Sequence, residues 1–274
     1  MDTQEPNNKN PIGLIAGIGN IPLLFVKKAA EKGIPVIAIA LSSSVDKVLK
    51  PLVEKSYSIG IGKSDKIVRA LKQENVQGLI MLGKVDKSIL FQPQIFDLRS
   101  LKLLKRVVTH EDKSVLVGVI RELEAEGFYV LDQKEYLGEL FPQKGTLTKK
   151  EPDEKAMQDI KYGYPIAKKL ANMEIGQTIV IKNKTVVAVE ALEGTDKTLE
   201  RGCSLANGQC IAVKVSRTGQ DYRYDAPAVG KRTIETLLKG KASALAIEAE
   251  MVMISEMEEV IEAANLAGFP IIAI

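Results

Sequence analysis

Residues 219–230, GQDYRYDAPAVG, combine charged and aromatic side chains in a spacing that could carry chemistry. Asp221, Arg223 and Asp225 alternate with tyrosines, and a proline follows two residues after Asp225. Short polar segments between a strand and a helix often carry binding or catalytic residues, because a rigid scaffold holds the loop. The segment therefore predicts a functional loop, with a surface loop held by salt bridges as the alternative.

Lys214 is the one charge in the apolar run IAVKV, just before this loop. A lysine in a buried strand must reach the strand end, a partner or an anionic ligand. Hydrolysis of a phosphoanhydride needs cations that offset the charge of the phosphoryl group and a carboxylate that holds a metal or orients water. Lys214, Arg223 and Asp225 together fit those requirements.

A second candidate is VEALEGTD, residues 189–196, which leaves a predicted strand and enters a predicted helix. Glu190, Glu193 and Asp196 are three residues apart, and Thr195 stands at the helix start. Free N–H groups at a helix start favour an anion, and converging carboxylates could bind Mg²⁺. The alternative is that Glu190 pairs with a lysine and Thr195 only caps the helix.

A third candidate is AGIGNIP, residues 16–22, which follows a strand and opens a helix. Gly17 and Gly19 would let a backbone approach a phosphate at the helix N-terminus, and Asn20 lies beside them. Proline replaces the third glycine of the dinucleotide fingerprint, and no acidic residue ends the next strand, so NAD is disfavoured. The segment predicts either a site for another ligand or a tight turn only.

The elements around these candidates predict an α/β protein with an N-terminal Rossmann-like parallel-sheet domain and a distinct C-terminal α/β domain. Apolar strand runs alternate with amphipathic helices in the first half, which favours parallel strands with right-handed crossovers. The predicted boundaries are a disordered tail at 1–10, the first domain at 11–132, a linker at 133–150 and the catalytic domain at 151–274.

Four local features are also expected in the C-terminal half. A long helix is interrupted near Gly163 and Pro165, which predicts a kink or a join of two helices. A hairpin turns at residues 182–184, and the run ALAIEAEMVMI is strand-like. A last helix starts with Ser255 as N-cap and Glu258 completing a capping box.

Composition limits the function classes. The chain has 274 residues, of which 27% are charged, and a formal net charge of +3 without a dense basic stripe, so nucleic acid is not expected as a partner. Two cysteines seven residues apart indicate neither a zinc site nor a disulfide framework, and the single histidine, His110, is not expected to act chemically. No secretory signal or membrane helix is visible, which predicts a cytoplasmic protein.

The three candidate segments together resemble one known family. GLIAGIGNIP, VEALEGTD and KVSRTGQDYRYDAPAVG occur in the order found in LpxI-type UDP-2,3-diacylglucosamine pyrophosphatases, and the closing ALAIEAEMVMI…ANLAGFPIIAI is similar too. The likeness runs from residue 12 to residue 274. Ala226 and Ala228 stand where bulkier residues are common in the family.

The resemblance implies an enzyme of lipid A biosynthesis in Gram-negative bacteria. Such enzymes hydrolyse the pyrophosphate of UDP-2,3-diacylglucosamine to UMP and 2,3-diacylglucosamine 1-phosphate, with Mg²⁺ or another divalent cation. The essential aspartate of the family's D-x-P-x-x-G segment matches Asp225. A non-catalytic nucleotide- or lipid-binding module is the alternative.

On this basis we assign the following expected roles. Asp225 is the catalytic carboxylate, as a metal ligand or as a group that orients water, with Glu193 and Asp196 as weaker metal candidates. Residues expected to bind substrate share a place at strand ends or in the polar loop: Gly17, Gly19, Asn20, Thr195, Lys214 and Arg223. Asp221 is either a metal ligand or the partner of Arg223. A homodimer and a transient contact with the inner membrane surface are left open.

Overall fold

The computed structural model describes residues 10–85, 96–102 and 115–274. Most of the predicted tail and His110 lie outside the described residues. The chain forms two compact units that divide between Tyr136 and Leu137. None of the described helices combines the length and the hydropathy needed to cross a bilayer.

The first unit contains a parallel sheet of five strands. The strands are β1 (Ile12–Ala16), β2 (Val36–Ala40), β3 (Lys55–Ser58), β4 (Gly78–Leu82) and β5 (Tyr129–Val130). Their order is β3-β2-β1-β4-β5, and each neighbouring pair is parallel. The labelled helices are α1 (Ile21–Glu31), α2 (Ser43–Leu49), α3 (Ser64–Gln73), α4 (Val115–Ala125) and α5 (Gln133–Leu137), and residues 98–102 are helical as well.

The central strands are buried on both faces, since all five successive residues of β2 are buried. Leu14, Ile39, Leu79 and Ile80 are fully buried, as expected for parallel strands covered on both faces. The strand order reverses between β1 and β4, which is the switch point where open α/β sheets usually bind ligands. The predicted Rossmann-like parallel sheet is confirmed.

The loops that follow β1 and β4 pair with each other at this switch point through an antiparallel bridge. Ile18 and Lys84 exchange two backbone hydrogen bonds of 2.8 and 2.7 Å. A Cβ on Gly17 would lie 2.5 Å from the Lys84 carbonyl oxygen, and one on Gly83 would lie 2.7 Å from the Gly17 carbonyl carbon. Both glycines are therefore required by the close approach of two backbones.

We expect Gly17→Ala to destabilise the protein by about 1–3 kcal/mol, the usual cost of forcing extra atoms into a packed site. The midpoint of urea unfolding of the full chain measures it. Gly60→Ala is the matched control, because nothing lies within 4 Å of the Cβ position of Gly60. Equal midpoints for the two variants would contradict the close approach of the two loops as the reason that residue 17 is a glycine.

The second unit contains a mixed sheet of six strands in the order β6-β13-β11-β9-β7-β8. A short parallel pair joins β10 to β12. In chain order the strands are β6 (Gly145–Thr146), β7 (Thr178–Lys182), β8 (Thr185–Val189), β9 (Ile211–Lys214), β10 (Ala228–Val229), β11 (Ala244–Ile247), β12 (Met253–Ile254) and β13 (Ile271–Ala273). The helices are α6 (Glu154–Asn172), α7 (Thr195–Ala206), α8 (Lys231–Lys239) and α9 (Met257–Leu266).

Helices cover both faces of this mixed sheet. Along β7 the side chains alternate, so that Val180 packs with Leu199 of α7 and Leu237 of α8. Ile179 and Ile181 point to the other face, where they pack with the apolar side of α6. The distinct C-terminal α/β domain is therefore confirmed.

The predicted hairpin between β7 and β8 is confirmed. Asn183 and Lys184 both have positive φ, 51° and 55°, as tight hairpin turns require. The buried carboxylate of Asp159 accepts hydrogen bonds from both turn N–H groups, at 2.8 and 2.6 Å. Of the two alternatives expected near Gly163 and Pro165, a kink or a join of two helices, the join is wrong, because α6 is one helix that contains Pro165.

Three expectations for the C-terminal half need correction or detail. The apolar run 244–254 is two strands, because a turn after β11 separates it from β12. The Ser255 capping box is wrong: the N-cap of α9 is Glu256, with φ 54°, and the Ser255 hydroxyl instead donates to the Val229 carbonyl at 3.2 Å. Segment 133–150, expected to be a linker, contains α5, a 3-10 turn at Gly138–Leu140 and β6, which pairs with β13.

Candidate active site

The carboxyl ends of β9 and β11 bring several polar side chains to one edge of the C-terminal sheet. Lys214 and Ile247 are partners in the register of these parallel strands. The Glu248 N–H donates to the Lys214 carbonyl at 3.0 Å, so the chain leaves both strands at the same level. This is the edge at which α/β sheets generally bind ligands.

Lys214 is 4% exposed and is surrounded by oxygen atoms. Its Nζ donates to the Thr195 hydroxyl at 2.8 Å and to the Thr178 hydroxyl at 3.1 Å. The Thr195 hydroxyl in turn donates to Glu190 Oε1 at 2.8 Å. The chain Lys214–Thr195–Glu190 therefore joins β9, the first residue of α7 and the end of β8.

Glu190 is the counterion of Lys214. Its Oε2 lies 3.8 Å from Lys214 Nζ, is buried, and has no hydrogen-bond donor in the described part of the chain. The attraction of the Lys214 ammonium therefore offsets the burial of that oxygen without a hydrogen bond. The sequence left open whether Glu190 pairs with a lysine, and the structure shows that it pairs with Lys214.

Glu193 and Asp196 are held in ion pairs with arginines. Arg201 Nη2 lies 2.6 Å from Glu193 Oε1, and this arginine holds the pKa of Glu193 below its usual value. Arg232 Nε lies 3.0 Å from Asp196 Oδ2. The described part of the chain contains no group of three His, Cys, Asp or Glu side chains that could hold a metal ion.

In the polar loop, Asp221 is the partner of Arg223. The guanidinium donates to both carboxylate oxygens, with Nε at 3.0 Å from Oδ1 and Nη2 at 2.7 Å from Oδ2, while the Arg223 N–H donates to Oδ1 at 3.1 Å. This arginine holds the pKa of Asp221 below its usual value. Asp221 therefore positions the guanidinium, which stays more than a third exposed.

Asp225 is exposed, unlike the residues immediately before it. The Gln220 amide donates to the Asp225 backbone oxygen at 2.7 Å and to Oδ2 at 2.9 Å. Tyr222 points inward, where its hydroxyl donates to the Met251 carbonyl at 2.9 Å and its ring packs edge-on against Phe141. The loop thus buries Gln220 and Tyr222 and presents Asp225 outward.

A buried ion pair at the same strand edge was missed by sequence reasoning. Glu248 is 8% exposed, and Lys168 Nζ lies 2.8 and 3.0 Å from its two oxygens. Glu248 also accepts a hydrogen bond from the Ser216 N–H at 2.8 Å and another from the Tyr164 hydroxyl at 3.1 Å. Burial and the Glu248 carboxylate raise the pKa of Tyr164 to about 12. Glu248 and Glu250 are the two charges of the apolar run 244–254, so a buried charge there could have been found by the same kind of signal that singled out Lys214.

The three N-terminal candidates lie in the first unit, after β1. Gly17 packs against the Lys84 backbone, and Gly19 has φ 122° with open space at its Cβ position. Asn20 is the N-cap of α1 without a side-chain cap hydrogen bond. In the second unit the structure groups Lys214 with Thr195, and places Arg223 and Asp225 on one loop.

Comparisons with known proteins agree with this two-unit organisation. The family model described as LpxI N-terminal domain matches residues 11–140, and the one described as LpxI C-terminal domain matches residues 143–272. The protein named UDP-2,3-diacylglucosamine pyrophosphatase LpxI from Caulobacter vibrioides is 29% identical over 276 aligned positions, which cover 96% of this chain and 97% of that protein.

Solved structures give only distant similarity. The biotin carboxylase domain of 2-oxoglutarate carboxylase from Hydrogenobacter thermophilus is 14% identical with a TM-score of 0.27, over 71% of this chain and 41% of that one. The biotin carboxylase subunit of pyruvate carboxylase is 14% identical with a TM-score of 0.26, over 72% and 42%. This chain therefore spans about two fifths of those structures. Because the two family models match nearly all of the sequence, the chain belongs to the LpxI family.

Proposed function

We propose that this protein hydrolyses the pyrophosphate bond of UDP-2,3-diacylglucosamine to give UMP and 2,3-diacylglucosamine 1-phosphate. The observation that carries the proposal is the full-length match to the relative of that name, over 96% of this chain. The fold is compatible, since an exposed carboxylate and a guanidinium two residues apart lie on one loop of the C-terminal unit.

Asp225 is the proposed catalytic carboxylate. It is the exposed acidic residue of the loop, and its Oδ1 accepts no hydrogen bond from the residues that the structure describes. That oxygen is available to accept a proton from an attacking water or to bind a cation. Arg223, fixed in direction by Asp221, would contact the phosphate oxygens, where a planar guanidinium suits bidentate binding.

Lys214 and Thr195 support the phosphate contacts from behind the loop. The Thr195 hydroxyl already bridges Lys214 and Glu190, so we propose that Thr195 contributes its backbone N–H at the start of α7. Lys214, whose charge is already offset by Glu190, would act at this strand end by holding Thr195 in place. The substrate-binding roles of Gly17, Gly19 and Asn20 are part of the same proposal.

A divalent cation such as Mg²⁺ fits this site through Asp225. Mg²⁺ commonly binds one or two carboxylates, several waters and the phosphates of its substrate. Glu193 and Asp196 fit less well, because each would have to leave an arginine. When bound, the cation would offset the charge on the pyrophosphate.

Phosphorus NMR of the purified protein with UDP-2,3-diacylglucosamine tests the proposal. We expect UMP and 2,3-diacylglucosamine 1-phosphate to accumulate with Mg²⁺ and not with EDTA. Equal turnover in EDTA would remove the metal from the proposal. A chemical-shift change without turnover would instead indicate a binding module.

A further inference from the structure

The side chain that holds Asp225 in place is Gln220, a residue singled out neither by its spacing nor by the family resemblance. Gln220 is 9% exposed, although it lies in the middle of a polar loop. Its Nε2 donates to two acceptors of the same residue, the Asp225 backbone oxygen and Oδ2. The two contacts together fix both the backbone and the carboxylate of Asp225.

The direction of the Gln220 amide is determined chemically. A backbone carbonyl and an ionised carboxylate are acceptors only, so the nitrogen of Gln220 must face Asp225. Its oxygen, Oε1, then accepts from Nε2 of Gln177 at 3.0 Å. Each amide in the chain Gln177–Gln220–Asp225 therefore supports the orientation of the next group.

Gln177 ties this chain to the rigid sheet. It immediately precedes β7, and its carbonyl accepts from the Val215 N–H at 2.9 Å, just after β9. The loop that carries Asp225 begins at this same end of β9. The carboxylate is thus connected to two neighbouring strands through two neutral amides, with no titratable group in this chain of contacts between the sheet and Asp225.

We propose that Gln220, oriented by Gln177, is a positioning residue that fixes the Asp225 carboxylate for hydrolysis of the substrate pyrophosphate; this inference rests on the proposed function. A neutral donor holds Oδ2 without neutralising the carboxylate, which leaves Oδ1 and the negative charge directed outward. Gln220 touches Asp225 and not the reacting atoms, so its effect on the reaction passes through that contact.

The first experiment tests the contact through stability. Gln220→Glu replaces the donor by a carboxylate facing Asp225, and urea unfolding should show a lower midpoint than wild type. Asp225→Asn in the same chain restores a donor–acceptor pair, because the amide introduced at position 225 can donate to the new carboxylate. The double variant should therefore be more stable than the sum of the single changes predicts. Additive changes would overturn the inference.

The second experiment tests positioning through kinetics. We expect Gln220→Glu and the similarly shaped Gln220→Met to lower kcat about 10- to 100-fold, the range typical when the hydrogen-bond partner of a metal-binding residue is lost. KM for UDP-2,3-diacylglucosamine should stay within about twofold of wild type, because the pyrophosphate contacts are retained. Gln177→Met should also lower kcat, by a smaller factor than the Gln220 variants.

Gln158→Glu is the matched control, since Gln158 is exposed on α6 in the same unit and lies outside the site. It should leave kcat and KM unchanged. If wild type hydrolyses the substrate and Gln220→Glu has the same kcat, the inference falls and the proposed function stands. If the wild type itself does not hydrolyse the substrate, the proposed function falls and the inference falls with it.

Discussion

Asp225→Asn is expected to lower kcat for UDP-2,3-diacylglucosamine by a factor of about 10²–10⁴, the usual contribution of a positioned acid–base group. The substitution removes the negative charge and the ability to accept a proton, and it weakens the binding of any cation at this site. The side chain keeps its shape, and an amide oxygen can still accept from Gln220. The change should therefore act on turnover and leave the fold intact.

Phosphorus NMR under saturating substrate gives kcat, and a thermal unfolding curve of the same preparation shows that the variant is folded. Glu235→Gln is the matched control, because it makes the same acid-to-amide change at an exposed position on α8. Retention of activity within about threefold of wild type by Asp225→Asn would remove Asp225 from the catalytic role. Loss of activity in both variants would indicate a fault of the preparation common to both.

The parallel sheet of the first unit could be predicted because its evidence is local. Short apolar runs such as β2 and β4 end at glycine or polar residues and alternate with amphipathic helices, so strand type and direction follow from the sequence. The function of Gly17 could not be predicted in that way. Position 17 has no room for a side chain because of Lys84, a residue on another loop that only the folded sheet brings into contact.

The sequence predicted which residues belong to the candidate site better than it predicted which residues pair with each other. A lone charge in an apolar run indicated that Lys214 must reach the strand end, a partner or an anionic ligand, and the structure supplies Thr195 and Glu190 as partners. Spacing alone grouped Glu193 with Asp196 as metal candidates, but it carries no information about which arginine faces each carboxylate. The partner of Glu193 comes from α7, the helix that follows it, whereas the partner of Asp196 comes from α8.

Neutral polar residues were the hardest to predict. Gln220 and Gln177 are 43 positions apart, and an amide gives no charge signal in the sequence. The misplaced cap has a similar origin, since Ser255 fits a capping box by type and spacing. A left-handed residue at Glu256 shifts the helix start by one position, and the Ser255 hydroxyl then reaches the Val229 carbonyl.

The largest expected effect on stability comes from Lys214→Met. Lys214 and Glu190 have side chains only 5% and 14% exposed, and Glu190 Oε2 accepts no hydrogen bond from the residues that the structure describes. Removing the ammonium would leave a buried carboxylate without its countercharge. Breaking a buried pair from one side typically costs about 3–5 kcal/mol, which is the expected loss in the free energy of unfolding.

Urea unfolding of three variants separates this cause from simple loss of packing. Adding Glu190→Gln to Lys214→Met removes the stranded charge, so the double variant should recover much of the lost stability. Arg201→Met is the exposed control: its pair with Glu193 has side chains 46% and 29% exposed, and breaking it should cost less than about 1 kcal/mol. If the double variant were no more stable than Lys214→Met alone, the unpaired charge of Glu190 would not be the reason for the loss.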